Sequence, residues 1–124
     1  MNKKIIIIIS LITILLIGGG IFLISKTQAP KITGLDDFAK CLTGKNVTMY
    51  GAAWCSHCQN TKRTFGSSFQ YINYVECPQN AQLCLDKGVN GYPTWILGDG
   101  TKLEGEQSLT DLSEKTSCQL QISQ

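Results

Sequence analysis

Histidine, proline and net charge are all scarce in this chain, which has one histidine, three prolines and eleven basic against nine acidic side chains in 124 residues. From Lys31 onward eight basic residues meet nine acidic ones, a balance that excludes the basic face a nucleic-acid binder needs. With one histidine, any metal clamp would have to lean on thiolates. Internal repeats are absent too, so no repeat architecture is expected. Charge is missing altogether from "IIIIISLITILLIGGGIFLI", the twenty residues from Ile5 to Ile24. At about 1.5 Å per residue a helix of that length spans roughly 30 Å, the thickness of a bilayer core.

Residues 1–24 are therefore expected to form an N-terminal transmembrane anchor, or an uncleaved signal. A cleaved signal peptide is the competing reading. The apolar run exceeds the usual h-region of about 7–15 residues, and the small-residue site after Ala29 is followed by Pro30. Both readings export the remainder of the chain, because Lys3 and Lys4 precede the run and basic residues stay on the cytoplasmic side. Lys26 and Lys31 on the far side oppose that signal. The expectation is a single-pass membrane protein, N-terminus cytoplasmic, held through residues 5–24, with its domain extracytoplasmic. Residues 25–33, polar and containing Pro30, read as a linker of at most about 30 Å. Residues 34–124 then suffice for one domain with a modest core.

What the chain has in quantity is cysteine: Cys41, Cys55, Cys58, Cys77, Cys84 and Cys118. An even set in an exported domain favours disulfides over free thiols. Cys55 and Cys58 are the obvious local pair, and fixing it leaves three pairings for the rest. A Cys77–Cys84 bond would close a short loop, worth roughly 2.5 kcal/mol of chain entropy, and a Cys41–Cys118 bond a long one, worth roughly 4.5 kcal/mol. Both are read as structural staples. The functional alternative makes Cys77 and Cys84 a second redox pair.

Periodicity places the elements. Leu35, Phe38, Ala39 and Leu42 form one apolar helix face, with Gly44 as a stop. Val47 to Tyr50 reads as a buried strand, followed by a helix opening at or near Cys55 and running toward Phe65 or Gly66. "YINYVEC" is a second strand, and "NAQLCLDKG" a short helix capped by Asn80 and closed by Gly88. "YPTWIL" is a third strand, turned back by "GDGTKLEG", with Asp99 and Gly100 supplying the positive φ angles of a hairpin. Ser108, three residues before Asp111, opens the last helix with a capping-box pattern. Strands separated by helices imply parallel crossovers, and the hairpin an antiparallel edge. The fold class is α/β, a mixed central sheet flanked by helices.

Two thiols two residues apart at a strand-to-helix junction read as a redox motif. In the first helical turn a Cys55 thiolate would face unpaired backbone N–H groups and the positive end of the helix dipole, which favour the ionised nucleophile. Cys58 can reach back from the next turn to resolve a mixed disulfide. His57 between them can add positive charge that stabilises the thiolate and makes the disulfide more oxidising. Against this stands the plainer reading of His57 as an exposed loop residue.

"WCSHC" followed downstream by "GYPT" resembles the active site of thioredoxin-fold oxidoreductases. The order of "MYGAAWCSHCQ", "YVEC", "GYPTW" and "EGEQSL" is similar to the thioredoxin-like domains associated with bacterial vitamin K epoxide reductase homologues, and "CxHC" with "GYPT" resembles protein disulfide isomerase. The resemblance covers about residues 35–118. It implies a thioredoxin-like fold, with Cys55 as nucleophile, Cys58 as resolving cysteine and Pro93 as a cis-proline at the site. It also implies substrate contacts from Trp54, Tyr92 and Thr94. Cysteine-containing proteins would be the substrates, and a quinone-linked membrane oxidase of the vitamin K epoxide reductase type the reoxidising partner. No cofactor or metal is implied. Two departures matter: Met49 stands where many relatives keep a buried carboxylate that accepts the proton of the resolving thiol, and Ser56 stands where proline is common.

The leading functional expectation is thus a membrane-tethered, extracytoplasmic thiol:disulfide oxidoreductase acting as an oxidase. A reductase or isomerase would use the same residues from the opposite starting state. Two other classes compete: a copper or zinc module clamped by Cys55, His57 and Cys58, and a stapled interaction domain in which the Cys55–Cys58 bond is inert.

Overall fold

The computed structural model describes residues 2–22, 31–33 and 35–123. The chain divides into two compact units, Met1–Pro30 and Lys31–Gln124. In the first, helix α1 (Lys3–Phe22) begins at the paired lysines. Its isoleucines from Ile5 to Ile14 are about half exposed on every side. Among the described residues no helix is long and apolar enough to cross a membrane; the described side chains of α1 stop at residue 14, about 18 Å from its start at the usual rise. The anchor expectation for residues 5–24 therefore rests on the sequence alone. Most of the expected linker, residues 25–30, lies outside the described residues.

The second unit is built on a four-stranded sheet in the order β3-β2-β4-β5, with β2 at Thr48–Gly51, β3 at Asn73–Glu76, β4 at Thr94–Ile96 and β5 at Lys102–Glu104. Strand β2 runs parallel to β3 and antiparallel to β4, and β4 and β5 form the antiparallel edge. Alternation on β2 feeds a core on each face. Met49 points into the larger core with Trp95 of β4 and with Phe38, Leu42, Phe65 and Leu112, carried by helices α2 (Leu35–Gly44), α3 (Ser56–Phe65) and α5 (Leu109–Thr116). Tyr50 points the other way, to Cys77, Cys84 and Val89 beside helix α4 (Ala81–Asp86). This strand order, with helices on both faces and the dithiol helix following the central β2, is a thioredoxin-like α/β fold.

Several local expectations change. The "YPTWIL" strand shortens to Thr94–Ile96, and "YINYVEC" pairs only over Asn73–Glu76, because 3-10 turns take Gly66–Tyr71 and Cys77–Gln79. Of Asp99 and Gly100 only Gly100 has positive φ (88°); Asp99 instead accepts the Thr101 N–H on its carboxylate at 2.9 Å, an Asx-type closure. Asn80 sits at the start of α4 but makes no side-chain cap, its amide donating to the Glu76 carbonyl instead. Helix α2 does end at Gly44, and the turn that follows it carries Asn46 in the left-handed region. Lys31–Thr33, expected to end the linker, is strand β1, antiparallel to β6 (Gln121–Ser123). Ser108 does form the capping box with Asp111.

Candidate active site

Strand β2 ends in small residues, and the chain turns at Ala52 and Ala53 into α3. Cys55 is the N-cap of that helix, in extended backbone conformation, and its sulfur accepts the Cys58 N–H at 3.3 Å. This N–H is one of the four that the first helical turn leaves without an intrahelical partner, so the helix offers hydrogen-bonding support for a Cys55 thiolate. Cys58 sits one turn later with no exposed surface, while Cys55 keeps 7 % of its own. That asymmetry suits the outer sulfur to meeting a substrate and the inner one to resolving.

Across from the thiols the Tyr92–Pro93 bond is cis, and the Tyr92 carbonyl lies 3.6 Å from Cys55 Sγ, where it can accept the S–H. Trp54 is 72 % exposed and meets the Tyr92 ring edge-on at a centroid distance of 5.9 Å. Together they give the open side of Cys55 an aromatic wall. Thr94 is different: it is buried, with its hydroxyl donating to the Gly91 carbonyl at 2.8 Å. Its side chain holds the loop before the proline and does not reach the surface.

His57 is turned toward Glu106, its Nδ1 3.1 Å from Glu106 Oε2, with the side chain 65 % exposed. Asn60 reaches the same carboxylate. The histidine therefore carries a counter-charge that the sequence reading did not include, although Glu106 lies within the "EGEQSL" stretch. Glu76 was missed as well. Its carboxylate accepts the Tyr74 hydroxyl at 2.6 Å and the Ala53 N–H at 2.8 Å, while Gln59 donates to the Ala53 carbonyl. The loop entering the dithiol is thus held from both sides of one residue. The alternating "YVE" in β3, which puts Tyr74 and Glu76 on one face, was the available signal.

The remaining cysteines are joined as Cys41–Cys118 and Cys77–Cys84, leaving Cys55 and Cys58 as free thiols. A bonded Cys77–Cys84 pair has no thiolates to offer a four-cysteine metal clamp. Among the described residues no three His, Cys, Asp or Glu side chains converge on one point.

Burial, the hydrogen bond to Cys55 and the nearby Cys55 charge push the Cys58 thiol up to about 11. A free thiol titrates near pH 8.5. Unfolding above that pH releases a proton that the fold retains, so the stabilising contribution of a protonated Cys58 is complete below about pH 8.5 and is lost as pH climbs toward 11. The expected loss is on the order of 3 kcal/mol, and it is confined to the dithiol form, since a Cys55–Cys58 disulfide carries no such proton. Tyr74, raised by burial and by Glu76, weakens both forms alike in alkali. Urea midpoints of the two redox forms between about pH 8 and 11 check this, with the gap between them changing as the dithiol weakens. A constant gap would contradict it.

No family model matches the chain. It is 38% identical over 102 residues to thiol-disulfide oxidoreductase LTO1 of Arabidopsis thaliana, covering 75% of this chain and 26% of that protein. It is 32% identical over 103 residues to the thioredoxin domain-containing protein 5 homolog of Drosophila melanogaster, covering 70% of this chain and 25% of the relative. The chain thus spans about a quarter of the length of these relatives. Among solved structures, oxidized mitochondrial thioredoxin 3 from Saccharomyces cerevisiae aligns at 21% identity with a TM-score of 0.43, over 67% of this chain and 88% of that one. The fold and the dithiol site define a thioredoxin-like domain, and in sequence it is similar to thiol-disulfide oxidoreductases.

Proposed function

We propose that this protein is a thiol:disulfide oxidoreductase that exchanges disulfides with cysteine-containing proteins through Cys55 and Cys58. The observation that carries the reading is the placement of Cys55 as the N-cap of α3, beside the Tyr92 carbonyl, with Cys58 buried one turn behind it. A substrate thiolate attacks Cys55 of the disulfide form, and a second substrate thiol releases the oxidised product, leaving the Cys55–Cys58 dithiol. The name of the Arabidopsis thaliana relative, a thiol-disulfide oxidoreductase, supports the same chemistry. The test is direct: the disulfide form, mixed with a peptide carrying two cysteines, is expected to transfer its bond in a one-to-one reaction. A peptide left reduced, at a rate no better than with oxidised glutathione, would overturn the proposal.

The apolar, all-round exposed isoleucines of α1 and the uncharged run to Ile24 support a membrane tether with the domain on the extracytoplasmic side. Retention in the membrane pellet after alkaline extraction is expected, and release would argue against it. In that compartment the leading direction is oxidation, with a quinone-linked membrane oxidase of the vitamin K epoxide reductase type restoring the disulfide. Glu106 favours the second direction, reductase or isomerase, because its carboxylate offsets the charge with which His57 would stabilise the Cys55 thiolate. Glu106→Gln is expected to stabilise the dithiol and move the Cys55–Cys58 couple about 10–30 mV toward the oxidising side, read from glutathione equilibria. An unchanged potential would show that the His57–Glu106 pair does not act on the thiols.

A further inference from the structure

Met49 is fully buried at the strand position from which a carboxylate would serve the resolving thiol, so Cys58 has no acidic neighbour on β2. The adjacent strand holds one. Register pairs Met49 with Tyr74 and Gly51 with Glu76, and the two-residue period of a strand sets all four on one face of the sheet. Gly51 permits the close approach there: a β-carbon on it would stand 2.8 Å from Cys58 Sγ, 3.2 Å from Tyr74 Cε2 and 3.4 Å from the Tyr74 hydroxyl. Thiol and phenol therefore both approach the same bare backbone at Gly51, and the phenol already donates to Glu76 Oε2 at 2.6 Å.

We propose that Tyr74 and Glu76 form a proton relay that deprotonates Cys58 when it resolves a mixed disulfide on Cys55, a role that rests on the oxidoreductase reading above. The Cys58 proton passes to the Tyr74 oxygen as the Tyr74 proton passes to Glu76 Oε2. Cys58 sulfur then bonds Cys55 sulfur, the Cys55–substrate S–S bond breaks, and the substrate leaves as a thiolate. Tyrosine stays neutral throughout, and the protonated Glu76 returns its proton to water.

The electrostatics suit these roles. Burial holds the Cys58 thiol well above the ordinary range, so resolution at neutral pH needs a base. Tyr74, raised by burial and its bond to Glu76, does not ionise and can only pass a proton on. Glu76 is held below the usual carboxylate range, chiefly by the Tyr74 hydroxyl, and is ionised and ready to accept. From the α3 side the charged or titratable groups facing the relay are Cys55 and Lys62, whose Nζ lies 3.9 Å from the Tyr74 ring centre. From β2 the same face presents only Met49 and Gly51.

The reduced full-length protein, mixed with excess dithiobis-nitrobenzoate, separates the two steps. Attack by Cys55 gives a first phase that scales with probe concentration, and resolution by Cys58 gives a second that does not. Tyr74→Phe and Glu76→Gln, the latter keeping an acceptor for the Ala53 N–H, are each expected to slow the second phase by about 100-fold near pH 7. The first phase should stay within about twofold. The variants' second phase should become first order in hydroxide where the wild type is nearly flat, and the double variant should be no slower than either single one, because the two residues act as a unit. A purely structural defect would lower the rate without steepening the pH profile, and that result overturns the relay, as does an unchanged second phase. A wild-type first phase no faster than free cysteine would instead sink the oxidoreductase reading and the relay with it.

Discussion

Cys58→Ser is expected to halt the reaction at a stable mixed disulfide between Cys55 and substrate, and Cys55→Ser to abolish exchange altogether. The difference stems from the two environments. Cys55 is the only one of the two free thiols with exposed surface, so without it a substrate sulfur has no partner; Cys58 is sealed beneath it and acts only on a bond already formed at Cys55. Loss of the nucleophile should reduce exchange to the background rate of free thiols. Loss of the resolving thiol should leave substrate covalently attached, visible as a mass increment that dithiothreitol removes. An active Cys55→Ser variant, or an increment on Cys58 in the wild type, would reverse the assignment.

Removing the Cys41–Cys118 bond is expected to be the most damaging change to stability. It joins α2 to the residues just after α5 across a separation of 77 residues, and chain entropy alone gives it about 4.5 kcal/mol. The Cys77–Cys84 bond spans 7, for about 2.5 kcal/mol. A domain of this size has only about 5–15 kcal/mol in total, so the paired substitution Cys41→Ser with Cys118→Ser should bring it close to unfolding at physiological temperature. The Cys77→Ser with Cys84→Ser pair should leave it folded. Urea denaturation of the two double variants decides the order, and a larger loss from the shorter loop would contradict the entropic account.

The residues that could be read from the sequence were those with a local signature. Leu35, Phe38, Ala39 and Leu42 repeat at helical spacing, and the structure buries Phe38, Ala39 and Leu42 on α2. Ser108 with Asp111 marks a helix start from a few residues of sequence. The same holds for the strand–CxxC–helix junction, where Cys55 takes the N-cap and the helix begins at Ser56. What escaped depends on contacts between distant segments. Strands β1 and β6 are three residues each and pair the two ends of the domain, so neither carries enough period to be seen. Glu106 and His57 meet across 49 residues, and Glu76 meets Ala53 across 23. Thr94 is a site residue only through the resemblance, and its side chain is buried because it pairs with Tyr50 on a sheet face that the smaller core covers. Met49 shows both sides of the matter. Its lack of a carboxylate was visible in the sequence, but its replacement on β3 required the register of β2 against β3.

In the mechanism proposed above, Cys55 and Cys58 cycle while the other four cysteines stay bonded. Thiol trapping of the native protein across a glutathione redox series, with mass mapping of each cysteine, measures this directly. Cys55 and Cys58 are expected to titrate together as one two-electron couple above the roughly −300 mV below which structural disulfides typically lie, with Cys41–Cys118 and Cys77–Cys84 oxidised throughout. A Cys55–Cys58 bond as resistant to reduction as the other two would contradict it.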